Sequence, residues 1–87
     1  MNTYRLYVGQ NNETGHLDTI QLVNCLSTRH KGFTIEEAQG YWEGKPEHSA
    51  IITIATEEDI NATVEALKIE LKQDAIGLQQ VEAISFV

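Results

Sequence analysis

"GYWEGKPEHSAIITIAT", residues 40–56, decides the fold. It holds the only Trp and the only Pro of the chain and runs into an apolar stretch. "SAIITIAT" (49–56) has the β-branched richness of a strand. "KPEH" (45–48) reads as the loop before it, with Pro46 fixing the backbone, and residues 38–43 as the strand that leads there. The two strands form a hairpin. Upstream, "FTIEEAQGYWEG" (33–44) carries Phe33 and Ile35 in one phase of the alternation and Ala38, Gly40 and Trp42 in the other. A bulge or bend is therefore expected at Glu36–Glu37.

Beyond the hairpin, Thr56 is expected to cap a second helix, with Asp59 at its third position and Glu57 and Glu58 near its positive end. Ile60, Val64, Leu67 and Leu71 follow helical spacing, and Glu65 pairs with Lys68 on the solvent side. "DAIGL" (74–78) ends that helix and "QQVEAISFV" (79–87) reads as a closing strand. Toward the N-terminus, "YRLYV" (4–8) alternates as a strand and "GQNNETG" (9–15) is a loop. Asp18 caps a first helix running to about residue 30, with Gln21 reaching back and Leu17 and Leu22 as a staple. Its stripe is Ile20, Val23 and Leu26, flanked by Leu22 and Cys25. Arg29, His30 and Lys31 fall in the last turn and Gly32 closes it. The order is strand, helix, strand, strand, helix, strand. With right-handed crossovers this is an α+β, ferredoxin-like βαββαβ sandwich, a four-stranded antiparallel sheet with two helices on one face, spanning 1–87 as a single domain.

The net charge of −7, from 13 acidic against 6 basic residues, repels nucleic acid and anionic membranes, and neither is expected as a partner. No run approaches the ~20 apolar residues of a membrane span, and no basic-then-apolar leader precedes the first strand. Cys25 is alone, which suits a reducing compartment. A cytoplasmic protein is expected.

One side of such a sheet is left uncovered by the helices. If that side met water, the third strand would alternate apolar with polar. Instead Ala50, Ile51, Ile52, Thr53, Ile54 and Ala55 are apolar in both phases, and Tyr7 and Tyr41 are expected to join the uncovered side. Burying one Ile is worth about 2 kcal/mol. Leaving several wet is a large loss for a domain stable by roughly 5–15 kcal/mol. A homo-oligomer is expected, with Tyr7, Ile51 and Thr53 in its interface.

"YWEGKPEHSAIITIAT" (41–56) resembles the central hairpin of the divalent-cation tolerance family, whose members share the trimeric fold of the PII nitrogen-signalling proteins. Residues 32–44 and 49–81 also resemble a family of small bacterial proteins with a similar Gly, Gln-Gly-x-Trp and Gln-Asp-Ala pattern. The resemblance implies a PII-like architecture and a trimer. It implies no activity. The loop between the second and third strands is shorter than the regulatory loop of PII proteins, and the Gly and Lys/Arg pattern that would hold phosphates is missing.

His16, His30, His48 and Cys25 stand at no metal-ligand spacing, so no metal site is assigned. There is no Ser-His-Asp order and no isolated carboxylate pair, so no catalytic residue or cofactor is assigned. Trp42, beside Gly40 and Gly44, is expected to pack against a helix or a neighbouring chain, with a ligand cleft at the hairpin's edge formed by Tyr41, Trp42, Lys45, Glu47 and His48. Two functions follow. The first is a non-enzymatic PII-like trimer binding a small ligand, ion or protein at subunit clefts. The alternative is a dimeric α/β-barrel enzyme, of the monooxygenase or isomerase kind, acting on a hydrophobic small molecule.

Overall fold

Strand β1 (Asn2–Val8) and helix α1 (Thr19–Ser27) open the chain, followed by the hairpin of β2 (Thr34–Trp42) and β3 (Lys45–Thr56). Helix α2 (Ile60–Glu70) and strand β4 (Gly77–Val81) complete it. The computed structural model describes residues 1–11 and 13–81. The four strands form one antiparallel sheet in the order β2-β3-β1-β4. This is the ferredoxin-like βαββαβ arrangement that the element order predicts. The closing strand expected over 79–87 starts two residues earlier, at Gly77, and residues 82–87 lie outside the described ones.

Alternation along the strands builds the core. Leu6 and Val8 of β1 and Ala50, Ile52 and Ile54 of β3 turn toward the helices and are buried. Leu22 and Leu26 of α1 and Ile60, Leu67 and Leu71 around α2 meet them. Val64 packs at the rim. In α1 the buried pair is Leu22 and Leu26 at i, i+4, with Cys25 half-buried beside them. Ile20 and Val23, expected in the stripe, are instead 74% and 41% exposed. A nine-residue helix shows the sheet only a narrow face, and Leu22 and Leu26 already fill it.

Asp18 caps α1 as the sequence predicts, its carboxylate accepting from the Gln21 N–H at 3.0 Å. The Gln21 side chain does not reach back; it points toward Glu70 of α2. The helix stops at Ser27, short of residue 30, with Thr28 as its C-cap. The Thr28 hydroxyl donates to the Cys25 carbonyl at 2.8 Å, and the N–H groups of Arg29 and His30 both bond the Leu26 carbonyl. The basic triplet therefore lies beyond the helix, and Gly32 does not take the left-handed cap conformation. For α2 the cap is Asp59 rather than Thr56: its carboxylate accepts from the Asn61 N–H at 3.0 Å. Thr56 stays in β3, paired with Asn2, and its hydroxyl holds the Glu58 N–H through the turn.

The hairpin differs most from expectation. β2 pairs with β3 without interruption from Thr34–Thr53 to Trp42–Lys45, so there is no bulge at Glu36–Glu37. The loop is not "KPEH" but the two residues Glu43 and Gly44, with φ of 51° and 77°. Two positive φ values make this a type I′ turn, whose twist matches that of the strands. β1 reaches only as far as Ala50 on β3. Residues 38–42 and 45–49 therefore project past the sheet as a two-stranded arm about 17 Å long, in a molecule 40 Å in its longest dimension.

The apparent slip in β2's pattern has this geometry as its cause. Ile35 lies where helices cover the sheet; Glu37 and Gln39 share its face, Glu37 at the last rung before the arm and Gln39 on the arm, where no apolar cover is needed.

The edges of the arm are unequal. In a two-residue hairpin the flanking pair is hydrogen-bonded, so Pro46 and His48 turn their backbone away from β2. Pro46 has no N–H to expose. The His48 N–H is taken by the Gln10 side chain at 3.2 Å. By the same alternation Ile35, Glu37, Gln39 and Tyr41 turn their backbone groups outward along β2. Among the described residues none of these groups has a hydrogen-bond partner outside the strand.

Candidate functional site

The arm and the open face of the sheet hold all the site residues expected from the sequence. The register divides them between two sides. Trp42, Lys45 and Glu47 share the open-face side, whereas Tyr41 and His48 share the helix side with Pro46. Tyr41 therefore does not join Tyr7 on the uncovered side. Trp42 is 70% exposed and Tyr41 68%, so no helix of this chain packs on either ring. The Trp42 ring stands at the tip of an arm that no helix reaches.

On the helix side the arm and the end of β1 border a cleft of about 430 Å³ lined by Gln10, Glu37, Gln39, Pro46 and His48. His48 Nε2 lies 3.8 Å from Glu37 Oε1. Both side chains are about half exposed, so the pair contributes little by itself. Gln10 is held in turn by the Gln73 amide, which donates to the Gln10 carbonyl at 2.8 Å. Gln10, Glu37 and Gln39 are absent from the sequence-derived set. Glu37 and Gln39 were findable, because they alternate in step with His48 once the hairpin is closed at Glu43–Gly44; Gln10 is brought in by β1, which no local pattern reveals.

On the open face Tyr7 pairs with Ile51, and Arg5 with Thr53. Tyr7, Ile51 and Thr53 therefore form one neighbourhood, as expected of a shared surface. Ile51, Thr53 and Ala55 are half-buried and Tyr7 is 41% exposed. The Tyr7 ring lies across β4: its hydroxyl donates to Gln79 Oε1 at 2.9 Å. Gly77 makes room for it, since a Cβ there would stand 3.2 Å from Tyr7 Cβ. A shallow hollow of about 260 Å³ runs from Tyr7 to Glu47 on this face. The Glu47 carboxylate closes one end, packed against Gly9.

Two titratable groups lie off the site. Burial pushes the Cys25 thiol up, with Arg29 opposing and Glu70 adding to the rise. Burial likewise pushes His30 down, and its Nε2 lies 2.7 Å from the Thr63 hydroxyl. Among the described residues no three His, Cys, Asp or Glu side chains converge as a metal-binding group. Among them, too, no helix is long and apolar enough to cross a membrane.

No family model matches the sequence, and no curated protein matches it. Solved structures do. A DUF3240 family protein from Shewanella baltica superposes with a TM-score of 0.65 at 13% identity, over 99% of this chain and 93% of that one. A phage SAM lyase in its apo state gives 0.63 at 16%, over 99% and 92%. CutA1 from Oryza sativa gives 0.57 at 19%, over 100% and 84%. The fold is PII-like. GlnK of B. subtilis, in its ATP complex, shares it with a TM-score of 0.51 at 14% identity, over 93% and 84%. The resemblance carried by residues 41–56 thus extends to the whole architecture, and at these identities it is a likeness of fold.

Proposed function

We propose that this chain works in the cytoplasm as a non-enzymatic, PII-like homotrimer, associating through the open face of its sheet and binding a small ligand, ion or protein at clefts between subunits. The observation that carries the reading is the half-buried row Ile51, Thr53 and Ala55 beside the exposed Tyr7 ring, on a face that neither helix covers. Three subunits are favoured by the resemblance to the cation tolerance proteins. The arm then lies between neighbours, which gives both of its sides a role: Trp42, Lys45 and Glu47 line a cleft on one side, Tyr41 and His48 on the other. CutA1 and GlnK share the fold, and so does a SAM lyase, so the architecture by itself does not choose between a binding protein and an enzyme.

Sedimentation equilibrium tests this directly. Three chains or a multiple of three support the reading, two overturn the trimer and leave the dimeric barrel enzyme standing, and one overturns both. Ile51→Lys places a charge in the middle of the apolar row and is expected to abolish three-fold association or to precipitate the protein. An unchanged trimer would refute the open-face interface.

A further inference from the structure

We infer that the outer edge of β2 pairs, antiparallel and about a two-fold axis, with β2 of a second copy, in the register that sets Ala38 opposite the partner's Ala38. The edge is nine residues long, uninterrupted by bulge or proline, and its outward groups at Ile35, Glu37, Gln39 and Tyr41 have no hydrogen-bond partner outside the strand among the described residues. Such an edge is a template for another strand. Natural edges are blunted when pairing must be avoided, and the inner edge of this same arm is blunted by Pro46 and Gln10. The outer one is not.

The sequence of β2 complements itself in one register only. With Ala38 on the axis, Ile35 faces the partner's Tyr41, Glu37 faces the partner's Gln39, Glu36 faces the partner's Gly40, and Thr34 faces the partner's Trp42. All nine positions overlap and no carboxylate meets a carboxylate. Backbone geometry allows slips of two residues at a time, because outward residues must face outward residues. One such slip sets Glu37 against the partner's Glu37, which like charges directly opposite disfavour. The other shortens the overlap and runs Ile35 past the end of the partner strand into its turn. The favoured register exchanges about eight backbone hydrogen bonds, two for each hydrogen-bonded pair. It also gives each exposed ring of the arm an apolar or Thr neighbour. The cleft lined by Glu37 and Gln39 then joins its counterpart, so a site on the helix side of the arm would be shared by two chains. This contact uses a strand edge, separate from the open face, and stands or falls independently of the trimer.

The test uses cysteine pairs in a Cys25→Ser background. Facing residues at a pair without hydrogen bonds have Cα atoms about 4.5 Å apart, within the roughly 4.4–6.8 Å that a disulfide spans. Ala38→Cys is expected to form a disulfide-linked dimer on mild oxidation. Glu36→Cys, on the same face but about 14 Å from its copy at 3.4 Å per residue, is not. Gln39→Pro removes an N–H that points away from β3, so far-ultraviolet circular dichroism should be unchanged while the Ala38→Cys crosslink falls at least tenfold. The Ile51→Lys variant should still crosslink at Ala38→Cys. Crosslinking that is absent at Ala38→Cys, equal at Glu36→Cys, or indifferent to Gln39→Pro would overturn the inference.

Discussion

His30 is buried where the chain leaves α1, with Nε2 2.7 Å from the Thr63 hydroxyl of α2. Burial is the main reason its charged form is disfavoured, Glu58 pulls the other way, and Arg29 adds to the depression. A His whose folded value lies below its ordinary 6.5 contributes stability that is fully present above that pH. The contribution is lost as pH falls through the folded value. Urea melts are therefore expected to show a decline in stability below about pH 6.5, and His30→Gln should flatten that part of the profile. Thr63→Val keeps the shape of the side chain but strands the ring nitrogen, at an expected cost of about 1–3 kcal/mol. In the sequence Arg29, His30 and Lys31 look like three equivalent helix-end cations. Which of them turns inward depends on where α1 stops and on a threonine 33 positions away, and neither is a local property.

At the scale of elements, the arm's turn carries an unrelieved cost. Glu43 adopts φ of 51°, a left-handed conformation that Asn or Gly takes more readily, while Gly44 at 77° has the residue that the turn requires. Glu43→Asn is expected to raise the melting temperature by a few degrees, as about 0.5–1 kcal/mol would in a chain of this size. Gly44→Ala should lower it by about the same amount. Differential scanning calorimetry reads both. Strand and helix order was legible because Ile60, Val64, Leu67 and Leu71 and the run 49–56 each show one period clearly. The caps were less so: Thr56 and Asp59 are both good N-caps, and only the pairing of Thr56 with Asn2 decides for Asp59. "KPEH" has the composition of a loop because Pro46 usually punctuates. It is tolerated in β3 because β1 ends before reaching it, a fact about tertiary length that no window of sequence contains.

For the whole molecule, charge and shape pull in opposite directions. Each chain carries a net charge of −7, and any assembly of identical copies brings these charges together. Salt screens them, with a Debye length falling from about 10 Å at 0.1 M to about 3 Å at 1 M. Association through the apolar open face should therefore tighten between 0.05 and 0.5 M sodium chloride, measured as a lower dissociation constant by analytical ultracentrifugation. An interface built on opposite charges would weaken instead. The uncovered face was visible in the sequence, since Ile51 and Ile52 cannot both point at the helices. The division of Tyr41, Trp42, Lys45, Glu47 and His48 between two sides was not, because it depends on a turn placed at Glu43–Gly44 rather than at Lys45–His48.

Pro46 and Gln10 leave the projecting ribbon with a single adhesive margin. A growing fibril needs every chain to receive one neighbour and offer a place to the next, on opposite flanks. Here the inner flank of the projection can recruit nobody, and once the outer flank is occupied by a mate of opposite direction that route is spent. Crowding the protein should therefore draw no threads through the projection itself, and replacing Pro46 with valine would be the quickest way to undo that restraint.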